Sequence, residues 1–269
     1  MVVNMNIYLH ELKTYRMNTI IWIFSICGIM MFFMAFFQII KADMDNYMKF
    51  INNFPASVKI IMGFLFEDFS TPIGFHNFAF TYSALLGVIQ AMNLGVGIVS
   101  KEERERTADF LMTKPVSRVR IINAKLFAVL TIFVITNLCY LFASSFTVLS
   151  LSEMKPDMTK LYLVDFSLFM MQIIFFSIGL MVSILMKKVR AVLPVSLGMV
   201  FVFYAISAFA VTSKEDKLRY LTPFQYFTSS HIMDFGNYEL SFLLTGIGIA
   251  VVSIAISYYR YCNKNIQAV

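Results

Sequence analysis

Charged residues divide this chain into long apolar runs. The uncharged stretches mark six segments of spanning length, at residues 17–40, 78–99, 126–150, 166–186, 191–212 and 240–259. Pro72 and Gly74 come before the second and set where it can begin. About 20 residues of helix cross the hydrocarbon core of a bilayer. None of the runs alternates in the manner of a barrel strand, and an open sheet cannot satisfy its backbone in lipid. The pattern therefore predicts an all-α membrane protein with six transmembrane helices.

Composition agrees. The chain is 59% hydrophobic and 14% charged, with a mean hydropathy of +0.73. Soluble domains carry about a quarter charged residues. Cys27, Cys139 and Cys262 have no metal-site or disulfide spacing and read as small core hydrophobes. The polar N-terminal stretch MVVNMNIYLHELKTYR has no short apolar core followed by a small-residue cleavage site, so the first apolar run is expected to stay in the mature protein.

Six spans put both termini on one side. With the termini inside, the inner segments hold 14 of the Lys and Arg residues and the outer loops 8. Excess Lys and Arg marks the cytoplasmic side, which predicts cytoplasmic N- and C-termini. The basic balance then reflects loops beside anionic lipid and calls for no nucleic acid.

The second inner connector, SKEERERTADFLMTKPVSRVRIINAK, concentrates charge between two greasy spans. Ser100 with Glu103 forms a capping-box pattern, and Glu102, Glu103 and Glu105 favour the start of a helix. Pro115 would stop it. This predicts a separate cytoplasmic helix over residues 101–114, with Ser117 capping the third span and Arg118, Arg120 and Lys125 at headgroup level. Such a helix either lies inertly on the membrane surface or offers a handle to a cytoplasmic partner.

The segment from NFPASVKIIMGF to IINAKLFA, residues 54–127, resembles membrane (permease) subunits of type-2 ABC transporters, the ABC exporter permease family. The resemblance rests on an E-x-E-x-G-T-like helix matched by Glu103, Glu105 and Thr107, a P-[VL]-S-R turn matched by Pro115, Val116, Ser117 and Arg118, and a lysine opening the third span, Lys125. YLTPFQYFTSSHIMDFG resembles the family's outer segment before its last span. The chain departs from the family at Arg106, where glycine is usual. The resemblance implies a single permease domain over residues 1–269, with an N-terminal interfacial elbow helix and a cytoplasmic coupling helix between spans 2 and 3. It implies that Glu102, Glu103, Arg104, Glu105 and Arg106 make polar contacts, and Phe110, Leu111 and Met112 the apolar anchor, on a separate ATP-binding subunit. Export across the cell membrane by a dimer of permeases, with ATP hydrolysed by the partner, is the implied activity.

The residues add detail. Tyr8, Leu12 and Tyr15 at helical spacing suit an interfacial helix over residues 6–16, although a plain basic flank reads as well. The long first outer loop holds FPASVKIIMGFLF, which suits an interfacial or re-entrant piece. Tyr220, Phe224, Tyr226 and Phe227 in the last outer loop suit a headgroup belt, and either loop is a candidate lining for an exit. No Asp, Glu, Lys or Arg falls inside a predicted span, which argues against a proton- or sodium-coupled carrier. The spans do contain amides: Gln90 and Asn93 share a helical face, and Asn137 and Gln172 lie elsewhere. These are candidate pathway residues, with interhelical hydrogen bonding the plainer reading. Gly87, Gly95 and Gly97 permit close helix approach. No G-x-x-x-x-G-K-[ST] phosphate loop is present, so the chain is read as a transporter subunit with no ATPase site, cofactor or metal of its own. Two competing classes are an intramembrane enzyme such as a metalloprotease, for which Glu102, Glu103, Phe227 and His231 give an incomplete motif, and a non-transporting membrane sensor or scaffold.

Overall fold

The computed structural model describes residues 2–55, 58–59, 62–64, 69–104, 117–186, 188–213 and 215–263. Among these residues no strand occurs, and six helices are long and apolar enough to cross a membrane. Helix α1 (Val2–Ala35) continues past a turn at Phe36 into α2 (Phe37–Ala42), and α3 (Met44–Asn52) follows. Then come α4 (Pro72–Arg104), α5 (Arg118–Leu151), α6 (Met158–Leu185) and α7 (Val192–Ser213). Two short helices, α8 (Asp216–Arg219) and α9 (Ser229–Phe235), flank a 3₁₀ turn at Pro223–Gln225 before α10 (Leu240–Asn263).

The long helices α1, α4, α5, α6, α7 and α10 alternate in direction. One end of the bundle gathers the start of α1, the ends of α4 and α10 and the start of α5; it is called the terminal end below. There Tyr8 and Thr131 hydroxyls lie 3.0 Å apart, and Arg118 donates to the Cys262 carbonyl at 3.4 Å.

Helices α4 and α6 are the axis of the bundle. Their most apolar windows are 78% and 67% buried, against 17–33% for the other four spans. Helix α1 packs on α4 and α5, α10 on α6, and α7 on α4. Glycine allows the central contact: a Cβ on Gly179 would come within 2.9 Å of the Met92 carbonyl oxygen, and one on Gly95 would run into the Phe176 carbonyl. Backbones touch here, as small residues permit in lipid. Gly95 thus does what its position suggested, with Gly179 as its partner. A Cβ on Gly97 would meet only ordinary side-chain contacts.

Several boundaries differ from the sequence reading. All the spanning helices except α7 are longer than their uncharged runs, because Lys, Arg and Glu are good helix formers that extend a helix beyond its apolar stretch. Helix α6 begins at Met158 rather than 166, started by Asp157, whose carboxylate accepts from the Thr159 and Lys160 amides at 3.1 and 3.4 Å. Residues 6–16, read as an interfacial elbow helix, form the first part of α1 and run into the first span without interruption. No proline or glycine occurs before Gly28 to break it. Ser100 is no cap: it lies inside α4, buried, and its hydroxyl donates back to the Val96 carbonyl at 2.6 Å. Ser117 does precede the first residue of α5, though its side chain makes no capping bond. Of the coupling helix anticipated over residues 101–114, residues 101–104 are the last turn of α4 and the rest lie outside the described residues.

At the far end the two long connections, between α1 and α4 and between α7 and α10, pack onto the helices. In the first, Phe64 stacks on Phe78 and the Tyr82 hydroxyl donates to the Met62 carbonyl at 3.1 Å. The turn between them uses Gly63 at φ 74°, a left-handed conformation that favours glycine. In the last loop, Tyr226 and Phe227 are buried and Phe224 packs on Phe175 and Tyr204, so these rings fill the bundle rather than form a headgroup belt. Thr222 donates to the Phe203 carbonyl at 2.9 Å and Gln225 to Ser207 at 2.7 Å. Of the four aromatics only Tyr220 is exposed.

Candidate functional site

Polar side chains meet at three levels along α4, among residues that are otherwise apolar. Between His76 and Ile98 the helix rises about 33 Å at 1.5 Å per residue, close to the thickness of a hydrocarbon core.

At the terminal end, Lys125 of α5 reaches inward. Its Nζ donates to the Ile98 carbonyl of α4 at 2.6 Å and lies 3.3 Å from Glu11 Oε1 of α1. The Lys125 side chain is 1% exposed and that of Glu11 6%. Lys125 was expected at headgroup level; it is instead the buried junction of three helices. One turn outward, Lys101 stands over the Tyr15 ring at 5.6 Å.

The middle level is an amide network. Gln172 Nε2 donates to Gln90 Oε1 at 3.0 Å, and Gln90 Nε2 donates to the Thr136 hydroxyl at 3.3 Å. Asn137 Nδ2 donates to Gln172 Oε1 at 2.6 Å and to the Phe133 carbonyl at 2.8 Å. Three of the four amides chosen from the sequence therefore converge, one from each of α4, α5 and α6. Asn93 is half-buried and takes no part. Each amide meets a partner on another helix, the arrangement that ties helices together where no water competes.

The level at the far end holds charge. His76 Nε2 of α4 lies 3.3 Å from Asp165 Oδ1 of α6, and the Tyr140 hydroxyl of α5 is 3.5 Å from the same nitrogen. Ser144 donates to Asp165 Oδ2. His76 Nδ1 and both polar atoms of the Asn77 side chain are buried without a hydrogen-bond partner.

This level and Lys125 correct the expectation that the spans carry no charge. Asp165 is the residue just before the run 166–186, and Lys125 the one before 126–150. Treating each charge as a boundary placed both outside the helices by construction. The available signal was the Pro156-Asp157 pair, which starts α6 a turn and more before Asp165. Among the described residues no group of three or more potential metal ligands occurs.

The proposed coupling residues are placed only in part. Glu102, Glu103 and Arg104 belong to the last turn of α4, whereas Glu105, Arg106, Phe110, Leu111 and Met112 lie outside the described residues. Outside the spans, Tyr238 donates to the Leu163 carbonyl at 2.6 Å. Burial pushes its phenol well above the usual tyrosine range, with the Asp165 charge adding to the effect.

Taken together, the three levels can lock α4, α5 and α6 in register, with α1 added at the terminal end. A family model described as ABC-2 family transporter protein matches residues 5–266. No curated protein matches the chain.

Proposed function

The chain belongs to the ABC-2 family of transporter proteins and is the membrane subunit of an ABC transporter; from that premise we propose that it is an exporter permease, worked as a dimer by a separate ATP-binding subunit. The proposal places it in the cell membrane with both termini in the cytoplasm, in line with its Lys and Arg bias. Glu102, Glu103, Arg104, Glu105, Arg106, Phe110, Leu111 and Met112 contact the ATP-binding subunit. ATP binding and hydrolysis belong to that partner, and a second copy or a related permease completes the path.

The observation that carries this reading is the continuity of α4. It runs unbroken from Pro72 to Arg104, so the helix bearing His76 and Gln90 ends at the connector. A push on residues 101–116 enters α4 at one side and α5 at the other, and Lys125 ties both to α1. Displacement at the connector is thereby passed to all three polar levels. The four less buried spans leave apolar faces for lipid and for a second permease.

Coexpression with the candidate ATP-binding subunit tests the proposal. The two should copurify, and Phe110→Asp or Leu111→Asp should cut transport at least tenfold while the partner keeps its basal ATPase activity. Transport at the unmodified rate in both variants, or labelling of residues 101–120 from outside intact cells, would overturn it.

A further inference from the structure

A groove of about 660 Å³ lies between α5 and α6. Its walls include Leu138, Leu141, Phe166 and Phe169, and it opens on the side where Leu138 and Phe166 are exposed. Its floor is closed. Asn137 bonds to Gln172 and Ser144 to Asp165, so the two helices are tied together beneath it. Asn137 Oδ1 and Asp165 Oδ1 have no accessible surface, and the groove presents almost nothing but hydrocarbon.

The groove also has a depth. Along α6 it runs from Thr159 to Phe169, about 15 Å at 1.5 Å per residue, or half of a hydrocarbon core of about 30 Å. Its shallow end lies at the start of α6, where Thr159 and Tyr162 are exposed. Its deep end reaches the amide network at Asn137. It therefore crosses one leaflet, that of the far end, and it is continuous with the exposed apolar face of α5 at Val134, Leu138 and Phe142. Lys155 is exposed four residues before Thr159 and puts a positive charge near the shallow end.

These features select the occupant. A second helix measures about 10–12 Å across with its side chains and cannot enter a cleft floored by two helices in hydrogen-bond contact. A single row of methylenes can, and it supplies the dispersion contacts that empty apolar walls forfeit. A phospholipid also brings a phosphate to headgroup level, where the charge of Lys155 complements it.

We propose that this groove holds one acyl chain of a phospholipid from the far-end leaflet, with the chain against Leu138, Leu141, Phe166 and Phe169 and the phosphate beside Lys155. Binding belongs to this chain alone and stands or falls separately from the ATP-driven reading.

The full chain in dodecyl maltoside micelles tests the site. The probe is a phosphatidylcholine with a photoactivatable diazirine midway along one acyl chain, and crosslinked residues are mapped by mass spectrometry. Labelling within residues 134–141 and 159–169 should saturate at one lipid per chain. Labelling at Phe201 and Val202, exposed on α7, should rise linearly with lipid and gives the background. Leu138→Trp fills the groove from an exposed position, so it should remove the saturable labelling without moving the unfolding midpoint. Lys155→Glu, on the surface, should raise the half-saturating concentration about threefold, the worth of an exposed charge contact. Linear labelling in the groove, or saturable labelling that survives Leu138→Trp, overturns the proposal. Equal saturation by a diazirine-bearing fatty alcohol, or no change in Lys155→Glu, would make the occupant a bare alkyl chain and overturn the phospholipid assignment. Labelling that falls as the protein is concentrated at a fixed lipid-to-protein ratio would assign the groove to a second copy of the chain and overturn it as well.

Discussion

Lys125 Nζ lies 3.3 Å from Glu11 Oε1, with both side chains almost fully enclosed by α1, α4 and α5. Removing one member of a buried pair strands the other charge, at a cost of about 3–5 kcal/mol, whereas replacing both with apolar residues is often tolerated. Lys125→Met should therefore lower the unfolding midpoint sharply, and Lys125→Met combined with Glu11→Leu should recover much of the loss. A thermal double-mutant cycle reads the coupling. Additive losses would show that the two groups do not stabilise each other.

The α4–α6 contact makes an opposite pair of glycine predictions. At Gly179 a Cβ meets the Met92 carbonyl oxygen, which belongs to backbone and cannot swing aside. Gly179→Leu should push the axial helices apart and cost about 1–3 kcal/mol or more. At Gly248 a Cβ meets nothing within 4 Å. Gly248→Ala should be neutral or stabilising by up to about 1 kcal/mol through helix propensity. Unfolding midpoints of the two variants, moving in opposite directions, would check the packing directly.

The number of spans and their positions were legible because twenty-residue apolar runs are hard to produce by any other constraint. The amide cluster was legible in composition, as Gln90, Asn137 and Gln172 were the conspicuous polar residues in apolar runs, but its geometry was not. Helical periodicity puts Asn93 on the same face as Gln90, and nothing in one sequence says how α5 and α6 are rotated towards it. The ion pairs were hidden for a different reason. Glu11, Lys125 and Asp165 sit at the edges of apolar runs, where a charge ordinarily turns to water. Their burial depends on partners on other helices, from 21 to more than 100 residues away in the chain. The buried rings of the last outer loop were misread likewise, since Tyr226 and Phe227 suit an interface and a core equally well until α6 and α10 are seen to receive them.

Tyr238 supplies a prediction in pH. Its phenol is held above the ordinary value by burial, and a group whose folded pKa is raised contributes stability below its unfolded pKa of about 10. That contribution is lost as pH rises past the unfolded value towards the folded one. In an alkaline titration followed by tyrosinate absorbance, the protein and its Tyr238→Phe variant should give superimposable curves up to about pH 11, because Tyr238 remains protonated there. A difference curve with a midpoint near 10 would mean that the contact with the Leu163 carbonyl opens in solution.

Ser100 separates the lever from the helix that carries it. It lies within α4, four residues before the end at Arg104, and its hydroxyl bonds only to its own helix, at Val96 and weakly at Gly97. Ser100→Ala should thus change stability by about 1 kcal/mol or less and leave transport intact. Ser100→Pro removes the backbone hydrogen bond to Val96 and sets the proline ring against that carbonyl, costing about 3 kcal/mol and kinking the helix. The kink falls between the connector and Ile98, where Lys125 grips α4. If force travels along an unbroken α4, the proline variant should still copurify with its ATP-binding subunit and still support ATP hydrolysis, while transport falls at least tenfold. Measuring hydrolysis and transport on the same reconstituted sample distinguishes this from simple misfolding, which would lower both. Full transport by a folded Ser100→Pro protein would show that the signal enters through α5 instead.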